Sequence, residues 1–402
     1  MPLSLRAPGA RRRPLVLGDP PERKASKTRR LVAIAAAGRP QWSTRDYATL
    51  AREGFAKNPV AYRCIRMIAE AAASVPLVVF ADGARATDNP LQALIDRPNP
   101  EQSAPDLLEA FFGALQTSGN AYLEAGLQGD DNQPTELYAL RPDRMTAVPG
   151  PDGWADAYDY QAGGAKVRMR RDAAGFMPVL QLKLYSPTDD YYGFSPLEAA
   201  AVAIDMHNAA SAWNKSLLDN SARPSGALVY TNKDTSDRLS DEQFDRLKAE
   251  LSDTYSGAQA AGRPLLLEGG LDWKPMSLTP ADMDYINGKH AAAREIALAF
   301  GVPPQILGVP GDNTYANYKE ANSAFWRQTI VPLVERAARS ISAWLSPKFP
   351  GAMLRPDLDL VPALSVERDA LWARLQAASF LTDQERRRMA GLGDDLSEIS
   401  DE

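Results

Sequence analysis

The feature that most constrains this chain is a pair of long, proline-initiated helices that bracket a short insertion. Ser195-Pro196-Leu197-Glu198 sets an N-cap serine, a first-turn proline and a capping-box glutamate in order, so a helix starts there. It runs to about Asn220 and ends near Arg223-Pro224-Ser225-Gly226. Its ~25 residues would span ~37 Å at 1.5 Å per residue. Thr279-Pro280 opens a second helix in the same way, and Gly301 with Pro303-Pro304 stops it after about Phe300. Between the two, Ala227 to Asp272 reads as a small α/β insertion. It comprises a strand, a charged helix over Asp241 to Leu251, a Gly-rich turn and a strand over Pro264 to Leu267. Both long helices mix Ala, Ile, Met and Trp213 with Asp205, Lys215, Asp219, Lys289 and Arg294. Apolar surface therefore remains once they pack on each other. It is covered either by neighbours in a closed head-to-tail ring or within a monomeric helical bundle.

Ahead of this pair the pattern is α+β. Asn58-Pro59 supplies an N-cap and a first-turn proline, after which Val60, Cys64, Met67, Ile68 and Ala71 recur at helical spacing. Short alternating segments follow at Pro76 to Phe80, Asn120 to Leu127, Leu137 to Val148, Tyr158 to Gln161, Lys166 to Arg171 and Val179 to Tyr185. They predict a twisted antiparallel sheet, interrupted by an amphipathic helix at Pro105 to Thr117 that packs Leu108, Phe111, Phe112 and Leu115. Beyond Phe300 come the loop from Gly308 to Asn313 and a helix from about Thr314 to Leu345. Pro332 removes that helix's hydrogen bond to the Gln328 carbonyl and predicts a kink. Two short helices close the chain, the second with a Thr382/Glu385 capping box, ahead of an acidic tail.

With 402 residues, 45% of them apolar, a large core and two or three domains are possible. The single cysteine, Cys64, excludes an intramolecular disulfide framework and fits a reducing cytoplasm; it sits on a buried helix face, as a core filler. The net charge is −6, yet residues 1–30 carry nine Lys or Arg against two acids, leaving −13 for the rest. That balance suits a protein that must not hold a phosphate backbone tightly. The basic arm is either a disordered terminus or a binding segment. The apolar run Leu31 to Ala37 is too short and too far into the chain for a signal peptide. No stretch reaches the ~18 apolar residues needed to cross a bilayer.

The usual enzyme constellations are missing. There is no phosphate-binding Gly-x-x-x-x-Gly-Lys-Ser/Thr loop. Gly193-Phe194-Ser195 resembles a nucleophile elbow without its second glycine, and an N-cap explains the serine better. His207 and His290 lie far apart in sequence and are expected to be solvated or interfacial, with no metal site. Asp130-Asp131 and Asp189-Asp190 stand in turn-like contexts. No catalytic residue and no cofactor is expected.

Several linked segments, in order, carry a resemblance. They are Asn58-Pro59-Val60, Gly119-Asn120-Ala121-Tyr122, Leu137-Tyr138-Ala139-Leu140-Arg141-Pro142, Tyr192-Gly193-Phe194-Ser195-Pro196-Leu197-Glu198, Ala222-Arg223-Pro224-Ser225-Gly226, Leu267-Glu268-Gly269-Gly270-Leu271 and Phe300-Gly301-Val302-Pro303-Pro304-Gln305-Ile306-Leu307-Gly308. Together, from about Asn58 to Leu392, they resemble the portal family of long-tailed phages. The long basic arm and the short C-terminal region depart from that pattern. A composition rich in Ala, Arg and Pro points to a GC-rich host, and so to a gene transfer agent or prophage origin.

The resemblance implies an α+β portal fold: a basic arm (1–45), an antiparallel-sheet wing (46–194), a first stem helix (195–225), an α/β clip (226–272) and a second stem helix (273–301). A tunnel loop (302–317), a kinked long helix of the wing (314–350) and a helical crown with acidic tail (351–402) complete it. It implies a ring of twelve subunits at a capsid vertex, in a virion or gene-transfer-agent particle assembled in the bacterial cytoplasm. Double-stranded DNA would pass through the ring. Terminase, then a head-tail adaptor, would dock on the clip, and the major capsid protein would surround it; no membrane is involved. The implied DNA-facing residues are Asp312, Asn313, Tyr315 and Tyr318. Trp213, Lys215, Lys289 and Arg294 are candidates for the stem interface between subunits. Lys233, Arg238, Asp241 and Arg263 are candidates for partner contact, or are simply solvated surface. A lysine-lined wall would release counterions and hold DNA, whereas short polar and aromatic contacts let it slide; ordinary Pro-Gly-Asp turn chemistry explains the same loop. A different capsid-associated connector or adaptor, a hydrolase built on Ser195 and a DNA-binding regulator are the competing readings.

Overall fold

A computed structural model describes residues 47–81, 84–129, 132–151, 153–219, 226–230, 242, 245, 246, 271–275, 285–311 and 315–390. The chain enters through α1 (Tyr47–Leu50), which continues as a π-helical turn, Ala51–Ala56. Asn58 then caps α2 (Pro59–Ala73), its side-chain oxygen accepting the amide hydrogens of Val60 and Ala61. Cys64, Ile65, Ile68 and Ala72 line the buried face of α2, as their helical spacing requires.

Next come β1 (Leu77–Ala81), β2 (Ala84–Arg85), α3 (Pro90–Asp96), α4 (Ala104–Ser118), β3 (Asn120–Gln128), β4 (Gln133–Leu140), β5 (Met145–Pro149), β6 (Ala155–Ala162), β7 (Ala165–Arg170) and β8 (Val179–Lys183). α3 carries the same Asn-Pro start as α2, with Asn89 accepting from the Leu91 amide, and the sequence reading passed over it. The expected amphipathic helix is α4, which buries Leu107, Leu108, Phe111, Phe112 and Leu115 against α2.

The strands do not form one sheet. They divide into three antiparallel sheets of three, in the orders β11-β1-β2, β4-β3-β8 and β5-β6-β7, where β11 is Ala352–Pro356. The predicted segment Leu137 to Val148 is broken by a 3-10 turn at Pro142–Arg144, which sends its two halves into different sheets. The two sheets centred on β3 and β6 share a small core of Tyr122, Leu140, Met145, Met169 and Val179.

The first long helix is present but interrupted. Ser195 accepts from the Glu198 amide to start α5 (Pro196–Ala199); the chain breaks at Ala200 and resumes as α6 (Ala201–Asp219). β9 (Gly226–Tyr230) and β10 (Leu271–Pro275) then pair antiparallel, Tyr230 opposite Leu271 and Gly226 opposite Pro275. β10 runs across the expected clip boundary at 272, and the strand expected over 264–267 lies outside the described residues. α7 (Tyr285–Ala299) is the described part of the second long helix, and it packs on α6.

After a 3-10 turn at Pro304–Leu307, α8 (Tyr315–Phe325), a π turn (Trp326–Ile330) and α9 (Val331–Leu345) form the last long helical run. The irregularity that Pro332 demands therefore takes the form of a π turn. Val331 N donates to the Trp326 carbonyl, and Pro332, which has no amide to donate, follows as the second residue of α9. β11 pairs with β1, Leu77 opposite Pro356 and Ala81 opposite Ala352, so residues 352–356, placed by expectation in a helical crown, are a strand of the same sheet as β1. α10 (Ser365–Ala377) and α11 (Asp383–Met389) follow, the latter with the expected Thr382/Glu385 capping box.

One main core joins α2, α4, β1, β3, the start of α6, α7, α9 and β11, with Phe111, Phe112, Leu115, Ile296, Ile330 and Leu197 all fully enclosed.

Candidate functional site: the helix junction and the segment after α7

The motif segments, scattered in sequence, meet where α5 and α6 leave the sheets. Gly119 ends α4 with φ 74°, and its carbonyl accepts from Leu184 N at 2.8 Å. Gly193 lies directly against it: a Cβ at 193 would fall 2.1 Å from the Gly119 oxygen, and a Cβ at 119 would fall 2.5 Å from the Gly193 oxygen. Only two glycines allow that approach. Asn120 Oδ1 accepts from Gly193 N at 2.9 Å and from Gln181 Nε2 at 3.0 Å, and the same Gln181 amide reaches Tyr122 Oη and the Tyr191 carbonyl. Leu197, fully buried, sits where a Cβ on Gly54 would lie 2.5 Å from its Cδ1. The root of the first long helix is thus clamped between the π turn, α4 and β8.

Ser195 is 1% exposed and acts as a cap, so it offers no accessible nucleophile. Asp189 accepts from the amides of Tyr191 and Tyr192, which is turn chemistry. Asp130 and Asp131 lie outside the described residues. Among the described residues no cluster of His, Cys, Asp or Glu could hold a metal ion, and no helix is long and apolar enough to cross a membrane. Cys64 is buried, and loss of solvent pushes its thiol pKa up to about 12, as a core filler requires.

His207 corrects an expectation. It is buried within its own chain, not solvated or held for an interface, and its ring faces the Asn58 cap. Burial, then the positive charge of Lys289 on α7, lowers its pKa below the ordinary 6.5. A helical wheel identifies the face a histidine occupies, but not that a second helix start closes over it. His290 is half-buried.

Of the four residues expected between subunits, Trp213 and Lys289 are half-buried, while Lys215 and Arg294 are exposed. Arg294 Nη2 donates to the Pro310 carbonyl of its own chain. Sequence reasoning missed Val202 and Met206, which stand 46% and 49% exposed on the outer face of α6. Their i, i+4 spacing, continued by the exposed Ala209 and Ala212, is the signal that could have found them.

Asp312 and Asn313 lie outside the described residues. Tyr315 opens α8 rather than ending a loop, and Tyr318 is exposed on that helix. Lys233, Arg238, Asp241 and Arg263 also lie outside the described residues; of the charged helix expected around them, Glu242, Asp245 and Arg246 are helical and exposed.

With this geometry in view, comparison with known proteins is informative. A protein of Rickettsia bellii (strain RML369-C) is 44% identical over 344 residues, covering 85% of this chain and 88% of its own. The portal protein of Enterobacteria phage HK97 is 26% identical over 345 residues, covering 81% of this chain and 77% of its own. Among solved structures, a chain from the neck of a native gene transfer agent particle, computed with C12 symmetry, is 51% identical with a TM-score of 0.66, covering 89% of this chain and 96% of that one. The family model described as "Phage portal protein" matches residues 59–391, and on that span the chain belongs to the phage portal protein family.

Proposed function

We propose that this chain is the portal subunit of a gene transfer agent or related phage-like particle, assembled as a closed ring at the neck through which double-stranded DNA enters and leaves. The observation that carries the proposal is the 51% identity, over 89% of this chain, to a chain from a particle neck with twelve-fold symmetry. In this reading the sheets with α1 to α4 and α9 form the wing, α5–α6 and α7 the stem, the β9–β10 region the clip, and α10–α11 the crown.

A head-to-tail ring needs two unlike faces on each subunit. The outer face of α6 offers Val202, Met206, Ala209 and Ala212, with the half-buried Asp205 at its edge, and α7 exposes Leu298 at 79%. Fully burying a Val, Met or Leu side chain from full exposure is worth roughly 1.5–3 kcal/mol. The α6 stripe of one subunit against the outer face of α7 in the next is the contact we assign. Trp213, Lys215 and Lys289 flank it. The segment around Asp312, Asn313 and Tyr315, with Tyr318 on the exposed side of α8, is the proposed DNA-facing element. Lys233, Arg238, Asp241 and Arg263 of the clip are the proposed contacts for terminase and then the head-tail adaptor, with the major capsid protein around the wing.

The test is the mass of the purified chain in solution, combined with negative-stain images. Rings of about twelve subunits with a central hole are expected. A monomer at all concentrations, with or without the other neck proteins, overturns the proposal.

A further inference from the structure

Every three-stranded sheet has two edges, and most of these edges are occupied by the chain itself. On β4, Leu137 N donates to the Pro98 carbonyl at 2.6 Å. On β5, Ala147 N donates to Tyr192 Oη at 2.9 Å. On β11, Leu354 N donates to Ser342 Oγ at 3.1 Å, and on β8 the Lys183 carbonyl accepts from Arg336 Nη2. β2 is too short to offer an edge. β7 differs from all of them. It pairs with β6 from Ala165 to Arg170 without a bulge, and among the described residues nothing bonds to its outer side. About half of the amides and carbonyls of such a strand point away from its neighbour and form a template for another strand.

The side chains of β7 state what that strand must carry. Only Met169 is buried, into the small core with Tyr122. Lys166, Arg168 and Arg170 alternate along the opposite face, all exposed, and span about 13 Å at ~3.3 Å per residue. Asp159 of β6, opposite Arg168, is 4% exposed and holds two of the three cations. Its Oδ1 accepts from Arg168 Nε at 2.6 Å, and its Oδ2 from Arg168 Nη2 at 2.8 Å and Lys166 Nζ at 2.8 Å. These cations are thereby fixed over their own sheet. Arg170 has no partner among the described residues, so three cations face one acid. Val167, between them on the other face, is 54% exposed.

We propose that the outer edge of β7 docks an acidic, extended segment of a partner protein, which joins the β5-β6-β7 sheet as a fourth strand. Main-chain hydrogen bonds would supply the attachment and alternate side chains the selectivity. Acids at every second position of the added strand meet Lys166, Arg168 and Arg170, and the residues between them cover Val167. A second β7 edge is rejected, because it would set cations directly opposite cations. A DNA duplex would reach only the side chains and leave the edge's backbone groups unpaired. The proposal does not depend on the chain forming a ring.

The test follows a labelled peptide, Glu-Val-Glu-Thr-Glu-Val-Glu-Thr, by fluorescence anisotropy against the full-length protein. Hydrogen–deuterium exchange is read in the same samples on β7, with β11 as the control edge. Binding that slows exchange in β7 and leaves β11 unchanged is expected. A peptide of equal charge with proline at each Val and Thr position cannot donate to a ladder, and should bind about tenfold more weakly. Arg170→Glu should weaken the first peptide about tenfold, and Arg170→Lys much less. Both variants should melt as wild type does, since the side chain is exposed and unpaired. Absence of binding, equal binding of the proline peptide, or binding unmoved by Arg170→Glu overturns the docking edge. A short DNA duplex that binds where the peptide does not, and is lost in Arg170→Glu, also overturns it and assigns the strip to nucleic acid.

Discussion

Asn58 Nδ2 lies 3.2 Å from Nδ1 of His207, so the cap of α2 and the flank of α6 meet through a single amide. The Asn58 oxygen is already committed to the amides of Val60 and Ala61, and its second Nδ2 hydrogen goes to Asn208 Oδ1 at 3.1 Å. Asn208 Nδ2 in turn donates to the Glu53 carbonyl. The amide can present only a donor to the ring, so Nδ1 accepts and the imidazole is neutral.

That geometry has a pH consequence. A protonated Nδ1 would set donor against donor, and burial and Lys289 already lower the His207 pKa in the folded state. The unfolded chain then binds more protons, so stability rises with pH and is lost as pH falls below about 6.5. Thermal melts between pH 7.5 and 5.5 should show a falling Tm, with a shallower fall in His207→Gln, whose amide oxygen can accept without titrating. An identical slope in the two proteins would remove His207 as the cause.

The glycine contact at the helix junction predicts a large, local effect. Gly193→Ala drives a methyl to 2.1 Å from the Gly119 oxygen and 2.6 Å from Leu184 N, both backbone atoms that cannot swing aside. A loss of about 3 kcal/mol or more is expected in urea unfolding. Gly129→Ala is the control. Unlike Gly193 it has a positive φ, 76°, but open space around it, and should cost only roughly 1–2 kcal/mol.

Ser195→Ala separates a cap from a nucleophile. Removing the oxygen that accepts from Glu198 N should cost about 1 kcal/mol, read as a shift in the urea midpoint. Ring formation and DNA content of assembled particles should be unchanged.

The exposed stripe on α6 can be tested by charge. Val202→Asp with Met206→Asp should leave the unfolding free energy of the subunit within about 1 kcal/mol, because both side chains are about half exposed in the single chain. The same double substitution should shift mass in solution from ring to monomer. A ring that survives it places the subunit contact elsewhere.

Cys64 supplies a probe of unfolding. With its thiol raised to about 12 and its side chain buried, a thiol reagent at pH 8 should modify it only as fast as the core opens. Complete labelling in denaturant and almost none in native buffer is the expected pattern.

Much of the architecture was legible along the chain, because helix starts are local. Asn58-Pro59, Ser195-Pro196 and Thr382 with Glu385 each satisfy their own first-turn amides, and the structure shows all three acting so. Proline at 332 forces an irregularity from within a single helix, and one is there, as a π turn. Cys64 and Phe111 reveal by spacing alone which face of a helix is buried. The ordered motif segments mark the family by sequence alone. Strand partners could not be read in this way. Nothing local to Ala352–Pro356 says that its partner is Leu77–Ala81, since alternation defines the two faces of a strand but not its neighbour. The same holds for Gly119 against Gly193, His207 under Asn58 and Arg294 on Pro310, each pairing separated by tens of residues or joined through the bend after a helix. Capping and periodicity are short-range physics, carried by neighbouring residues. Burial of a histidine, mutual contact of two glycines and the strapping of a chain onto a helix depend on where distant elements come to rest, and the tertiary structure alone decides that.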